Sequence, residues 1–270
     1  MLYRFATAAT LSLLAPAAFA GDLTLPMAEP APVYAAPAPA ASPNLVFTLS
    51  GGIAVKPEYF GSEDYTVGPS FGFGLNFVDI GPVNFGSADP YYQAEGLGLR
   101  GSFRYVDERS EDDSPELAGL DDVDETYELG LGVGYQSVRF DAFLDVRYGI
   151  GGHESFVGEV GADVKANPSE RLTLSAGPRL LFGTDDYAST YFDVDEATST
   201  LSQYDADGGL MTAGVEVGAK YRITDNWGVQ GALTYDRFVG DAKDSPIVQQ
   251  GSEDSYGLSV GLTRRITLDF

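Results

Sequence analysis

The chain has 270 residues, 40 Asp and Glu against 16 Lys and Arg, a formal net charge of −24 and no cysteine. That excess of negative charge argues against nucleic acid and anionic surfaces as partners. The missing thiols exclude a disulfide framework and a lipid-bearing cysteine, while 33 glycines with 16 Phe and 16 Tyr suit β structure.

The amino terminus carries a targeting pattern. Met1–Arg4 is short and basic, Phe5–Ala15 is apolar, and Ala18-Phe19-Ala20 is a small-x-small cleavage signature. This predicts a secretory signal peptide, residues 1–20, cut near Ala20/Gly21. Its apolar run is too short to span a bilayer as a helix, and no later run is longer, so residence in a membrane requires a barrel. Gly21–Asn44 is rich in Pro and Ala and is expected to be a flexible periplasmic leader.

From Leu45 onward the chain alternates with period two, which places apolar and polar side chains on opposite faces of strands. Leu45, Phe47, Leu49, Ile53 and Val55 share one parity, followed by Val67, Phe71, Phe73, Leu75 and Phe77, then Leu97, Leu99, Phe103 and Tyr105. Tyr127–Tyr135, Val138–Tyr148, Phe156–Val164, Leu172–Phe182, Met211–Ile223 and Trp227–Tyr235 repeat the pattern. In the last strand Tyr256, Leu258, Val260, Leu262, Ile266, Leu268 and Phe270 face one way. Long strands, Tyr and Trp at strand ends, and an aromatic carboxy-terminus predict an all-β transmembrane antiparallel barrel over residues 45–270, with lipid outside and a polar lumen. Gln136-Ser137, Ala166–Ser169 and Thr224-Asp225 are expected as short periplasmic turns. Asp107–Val123, Gly183–Gly209 and Gly240–Asp254 are expected as long extracellular loops. Eleven strands are evident, Val78–Ala94 supplying one or two; the even count barrels require selects twelve, with ten as the alternative. Two residues strain the pattern. Arg264 sits on the lipid-facing parity near mid-membrane, which suggests a bulge turning it inward, or else a side chain reaching a headgroup. Pro178 lacks a donor within a strand, which suggests a bulge or a broken ladder bond.

Signals for catalysis are poor. His153, the one histidine, stands beside Glu154 and Ser155 in a turn, and neighbours along a strand point to opposite faces. A serine partner is therefore expected from elsewhere, and a turn histidine without catalytic duty is the preferred reading. Asp205-Ala206-Asp207-Gly208-Gly209 begins like a calcium loop but lacks the later ligands and the closing Glu. No catalytic, cofactor-binding or metal-binding residues and no cofactor are assigned. On the lumen face Arg139, Asp141, Asp145, Arg147, Glu216, Lys220 and Arg222, with Glu159, Lys165 and Arg179, are expected to pair across strands rather than line a conducting pore.

Four stretches carry a family resemblance: Pro57–Tyr65 with Pro57, Tyr59, Gly61 and Ser62; Glu116–Gly130 with Gly119; Gly177–Val194 with Tyr187, Tyr191 and Phe192; and Asn226–Val248 with Gly240, Asp241, Ser245 and Pro246. Together they resemble the MltA-interacting protein (MipA/OmpV) family of outer-membrane proteins. Asp193 departs from the pattern, where family members often have Gly. The resemblance implies a non-enzymatic barrel in the Gram-negative outer membrane, in contact with its lipids and lipopolysaccharide. It also implies a scaffold between a murein transglycosylase and a murein synthase. The last strand, ending on Phe270, is expected to engage the barrel-assembly machinery. A narrow solute channel, a surface adhesin and, less favoured, a lipid hydrolase are the alternatives.

Overall fold

The computed structural model describes residues 43–89, 95–198 and 200–270, so the expected signal peptide and all but the last two residues of the leader lie outside the described part. Eleven strands among the described residues form one antiparallel sheet. In chain order they are β1 (Leu45–Pro57), β2 (Tyr65–Ile80), β3 (Val83–Gly86), β4 (Gly96–Val106), β5 (Thr126–Gln136), β6 (Phe140–Gly151), β7 (Phe156–Ser169), β8 (Leu172–Gly183), β9 (Gly209–Arg222), β10 (Trp227–Phe238) and β11 (Asp254–Leu268). Each pairs with its sequence neighbour, except that β3 and β4 share no ladder, and β1 pairs with β11 from Leu45↔Leu268 to Val55↔Leu258. The sheet thereby curls into a nearly closed barrel. No helix among the described residues is long and apolar enough to cross a membrane.

The count differs from the expected twelve. Ten strands are 11–16 residues long, and β3 is a four-residue stub folded against the end of β2. The ten long strands alternate in direction and satisfy even parity by themselves. Residues 90–94, in the segment that left the count open, lie outside the described residues. Across the remaining seam, β2 and β4 share no backbone ladder among the described residues. Aromatic side chains bridge it. Phe71 meets Tyr105 edge-on at 6.1 Å, and Phe73 lies over Gly101, where a Cβ would stand 2.1 Å from the ring.

The outer face is apolar and open: Leu97, Val164 and Leu131 are 84 %, 68 % and 67 % exposed. A band of this extent is unsuited to water and suited to hydrocarbon. Aromatic pairs rim its long-loop edge, with Tyr105–Tyr127 at 5.3 Å, Tyr148–Phe156 at 5.0 Å and Tyr235–Tyr256 at 5.3 Å between ring centres. Tyr135, Tyr221 and Trp227 rim the short-turn edge.

Arg264 corrects the expected bulge. The β11 ladders run without interruption on both sides, and Arg264 pairs with Trp227, the first residue of β10. It therefore sits at the short-turn edge rather than mid-membrane, its guanidinium 4.7 Å from the centre of the Trp227 ring. Pro178 keeps register with Val215, but the β7–β8 ladder skips from Gly161↔Arg179 to Val164↔Ala176. A broken ladder bond, not a bulge, accommodates the missing donor. Ala166–Ser169 is not a turn: β7 continues to Ser169 with a register shift, and Glu170-Arg171 makes the turn.

Candidate functional site

The buried apolar residues of the described chain gather mainly in the long loops, which fold into a cap over one end of the barrel. Helix α1 (Asp185–Phe192) begins at Thr184, whose hydroxyl accepts from the Tyr187 N–H at 3.4 Å, and Asp185 and Asp186 favour its first turn. Tyr187, Ala188, Tyr191 and Phe192 form its buried face. Two short helices, α2 (Gly240–Asp244) and α3 (Pro246–Gln249), dock beside it. Ser245 ties them together: its hydroxyl donates to the Phe192 carbonyl at 2.6 Å and accepts from the Ile247 N–H at 3.3 Å, while Pro246 opens α3.

From the first loop, Phe60 enters this core, its ring centre 4.8 Å from Tyr191, 6.1 Å from Phe192 and 6.3 Å from Phe238. Gly61 adopts φ +100° with Val248 Cα 2.7 Å from the position of a Cβ, so a side chain is barred twice over. Tyr59 and Ser62 are buried alongside, and burial with a hydrogen bond to Glu116 pushes the Tyr59 phenol upward. Gly119 turns at φ +93° with its N–H on Glu111 at 2.8 Å, and Gly240 starts α2 at φ +56°. Pro57 closes β1 opposite Tyr65. The motif residues, spread over nearly 190 positions, thus meet in or beside two loop clusters that Tyr204 adjoins.

Beneath α1 lies a dense charge network. Glu128, fully buried, accepts from Arg104 Nε at 2.9 Å, Arg147 Nε at 2.8 Å and His153 Nε2 at 3.2 Å. Arg104 also donates to the Tyr187 hydroxyl at 3.1 Å, joining barrel wall to cap. Arg147 continues to Ser102 at 3.0 Å and Glu159 at 2.8 Å. Further along the lumen Arg100 pairs with Asp145, Lys165 with Asp141, and Arg179 with both Asp163 and Glu216. Arg100 and Arg179 flank the inward ring of Phe143 at 4.0 and 5.2 Å. Of the expected lumen charges, Asp141, Asp145, Arg147, Glu159, Lys165, Arg179 and Glu216 belong to these pairs. Arg222 donates to the Glu170 carbonyl, whereas Arg139 and Lys220 are exposed near the short turns. Arg100 and Arg104 were not singled out from sequence, although they occupy the inward parity opposite Leu97, Leu99, Phe103 and Tyr105.

The serine expected elsewhere is Ser155 itself. A tight turn with Glu154 at φ 38° folds the chain back, so that Ser155 Oγ lies 2.8 Å from His153 Nδ1. The same nitrogen accepts the Ser155 backbone N–H at 3.2 Å, which leaves Nε2 as the donor to Glu128. Ser–His–Glu connectivity is present, but His153 and Ser155 are 4 % and 3 % exposed, and the Tyr187 and Tyr191 rings cover the imidazole at 5.1 and 5.7 Å.

The acidic loop has a structural employment. Asp193 accepts from the Ala206 N–H at 2.6 Å, Asp241 from Asp207 N–H at 3.1 Å and Asp185 from Gly208 N–H at 2.9 Å. Burial, reinforced by Asp205, Asp195 and Asp207, pushes the Asp193 carboxyl upward. Among the described residues no group of three or more His, Asp or Glu is placed to hold a metal. Phe270, 77 % exposed, is anchored by its N–H to the Asn44 side chain at 2.8 Å.

Comparison with solved structures finds outer-membrane proteins at low similarity. OprG from Pseudomonas aeruginosa has a TM-score of 0.32 at 11 % identity, covering 83 % of this chain and 97 % of that one. Neisserial surface protein A gives 0.30 at 11 %, covering 82 % and 96 %. A bacterial polysaccharide outer membrane secretin gives 0.37 at 9 %, covering 84 % and 100 %. No curated protein sequence matches the chain. The family described as MltA-interacting protein MipA does match, over residues 49–266, which takes in the barrel from β1 to β11 and every loop of the cap. The chain belongs to the MipA family and is an outer-membrane β-barrel protein.

Proposed function

We propose that this chain is a non-enzymatic, non-conducting envelope scaffold that brings a murein transglycosylase together with a murein synthase. The observation that carries this reading is the match to a family described as MltA-interacting. The ion pairs across the lumen from β4 to β9 and the cap above them support a closed barrel. The buried positions of Ser155 and His153 support the absence of hydrolase activity. In this reading residues 1–20 are removed on export, and the last strand with Phe270 is presented to the barrel-assembly machinery. The barrel then rests among outer-membrane lipids and lipopolysaccharide. The short turns offer little surface, so the leader Gly21–Asn44 supplies much of the periplasmic contact.

The test is co-purification from envelopes with the full-length mature barrel and with a form lacking Gly21–Asn44. The scaffold predicts murein enzymes with the first and fewer with the second. Recovery of none with either form removes it. Planar-bilayer recordings separate this reading from a solute channel, which requires stepwise conductance. A surface adhesin is the second reading, favoured by a cap that is both acidic and internally packed. It requires that cells lose attachment to host surfaces when Gly61→Val disrupts the cap.

A further inference from the structure

We propose that the upper lumen holds a binding site for one small carboxylate-bearing ring, with Arg104 as the anion contact. A cavity of about 180 Å³ lies under the cap, bounded by the ends of β1 and β4, the first loop, and inward residues of β10 and β11. Its size is below the roughly 300–1,000 Å³ of sites for drug-sized ligands, which limits the occupant to a single small ring. Pro57, Phe60 and Tyr191 are among its walls, with Thr234 and Gly257 on the lumen side. Flat aromatic walls with a few fixed polar groups are the ordinary composition of a small-molecule site.

Three cationic side chains line it, and two are already committed. Lys56 pairs with Asp107 at 2.7 Å. Arg109, 8 % exposed, donates to the carbonyls of Tyr191 at 3.1 Å and Asp121 at 3.2 Å. Arg104 differs. Its Nε and Nη2 engage Glu128 and Tyr187, while Nη1 makes no hydrogen bond among the described residues. The side chain is 26 % exposed and borders the cavity. A guanidinium fixed on one edge and open on the other is a preorganised donor for a carboxylate oxygen. The carboxylates Glu58 and Glu108 also line the space, so an occupant with hydroxyl donors on the ring away from its carboxylate fits better than a bare anion.

The experiment is calorimetric titration of the refolded full-length mature barrel in detergent with glucuronate and benzoate, and with their neutral counterparts glucose and benzyl alcohol. Glucuronate should bind with a Kd tighter than about 1 mM and at least about tenfold better than glucose. Benzoate should bind more weakly than glucuronate but better than benzyl alcohol. Arg104→Lys keeps a positive charge for Glu128 but removes the open edge, and should weaken glucuronate at least about tenfold. Thr234→Phe, outside the charge network, should fill the space and abolish binding in a barrel that still migrates as a folded, heat-modifiable species. Equal binding of acids and neutral analogues, undiminished binding to folded Thr234→Phe, or no heat with either acid would each overturn the proposal.

Discussion

The barrel wall and the loop cap solve opposite problems with the same kinds of side chain. In the wall, large apolar side chains point away from the protein, and ion pairs occupy the interior. In the cap, apolar side chains point inward, and carboxylates hold backbone N–H groups at the surface. The difference follows from the solvent on each side. Hydrocarbon removes the penalty on exposed Leu and Val and imposes a severe one on unpaired backbone, so the wall is a sheet curled on itself. Water restores the penalty, so loops that emerge from the membrane must bury their own core. Arg104 and Tyr187 share one of the hydrogen bonds that connect the two regimes, beside that between Thr126 and Tyr191.

That junction gives the sharpest tests. Glu128→Ala strips the shared partner from Arg104, Arg147 and His153, and removing one member of a buried ionic set costs about 3–5 kcal/mol. The expected result is a lower denaturant midpoint for the whole barrel, measured by loss of heat-modifiable mobility; an unchanged midpoint would mean that wall and cap do not share this network. Phe192→Ala empties the cap core and should cost about 3–5 kcal/mol at that site. Here the effect should be confined: protease cleavage within 184–208 and 239–253 should rise while the barrel keeps its midpoint. Collapse of the barrel along with the cap would show the regimes to be one cooperative unit. On the outer face, Val260→Arg places a charge near mid-membrane at a cost of about 2–4 kcal/mol, whereas Arg264→Leu should change stability by no more than about 1 kcal/mol. Equal effects at the two sites would contradict the edge position given to Arg264 by its pairing with Trp227.

The wall was legible in the sequence because one physical rule governs it. Period two fixes which side chains face lipid, so Leu258, Val260 and Leu262 could be placed without coordinates. The parity also carried the inward charges but not their partners: that Arg104 and Arg147 share Glu128 depends on register across three strands. Arg264 misled because its depth was judged from the chain end rather than from its level beside Trp227. The strand count stayed ambiguous because β3 is a short stub with little periodicity. The cap was illegible in a different way. Its core joins Phe60, Tyr187, Phe192 and Val248 from three separate loops, and no local period marks them. Ser155 was missed because alternation separates only adjacent residues: His153 and Ser155 stand two apart, and the turn at Glu154 brings their side chains together.

The smallest expected effect separates charge from hydrogen bonding within the cap. Asp193 accepts the Ala206 N–H, an arrangement its ionised form favours, yet burial and the neighbouring Asp205, Asp195 and Asp207 raise its carboxyl above the ordinary value. A carboxyl raised on folding contributes stability that is fully present below its unfolded value and is lost as pH rises through its folded value. Exchange protection of the Ala206 amide, corrected for intrinsic rate, should therefore fall slightly as pH climbs out of the acidic carboxylate range towards neutrality. Asp193→Asn keeps an acceptor oxygen for Ala206 and removes the charge. It should flatten that dependence and leave the cap marginally better protected at neutral pH, by no more than about 1 kcal/mol. If the variant keeps the full pH dependence, repulsion among the remaining aspartates governs the loop. If it loses protection only above the acidic carboxylate range, the charge-assisted hydrogen bond outweighs the burial, and the acidic surface of the cap stabilises the loops rather than straining them.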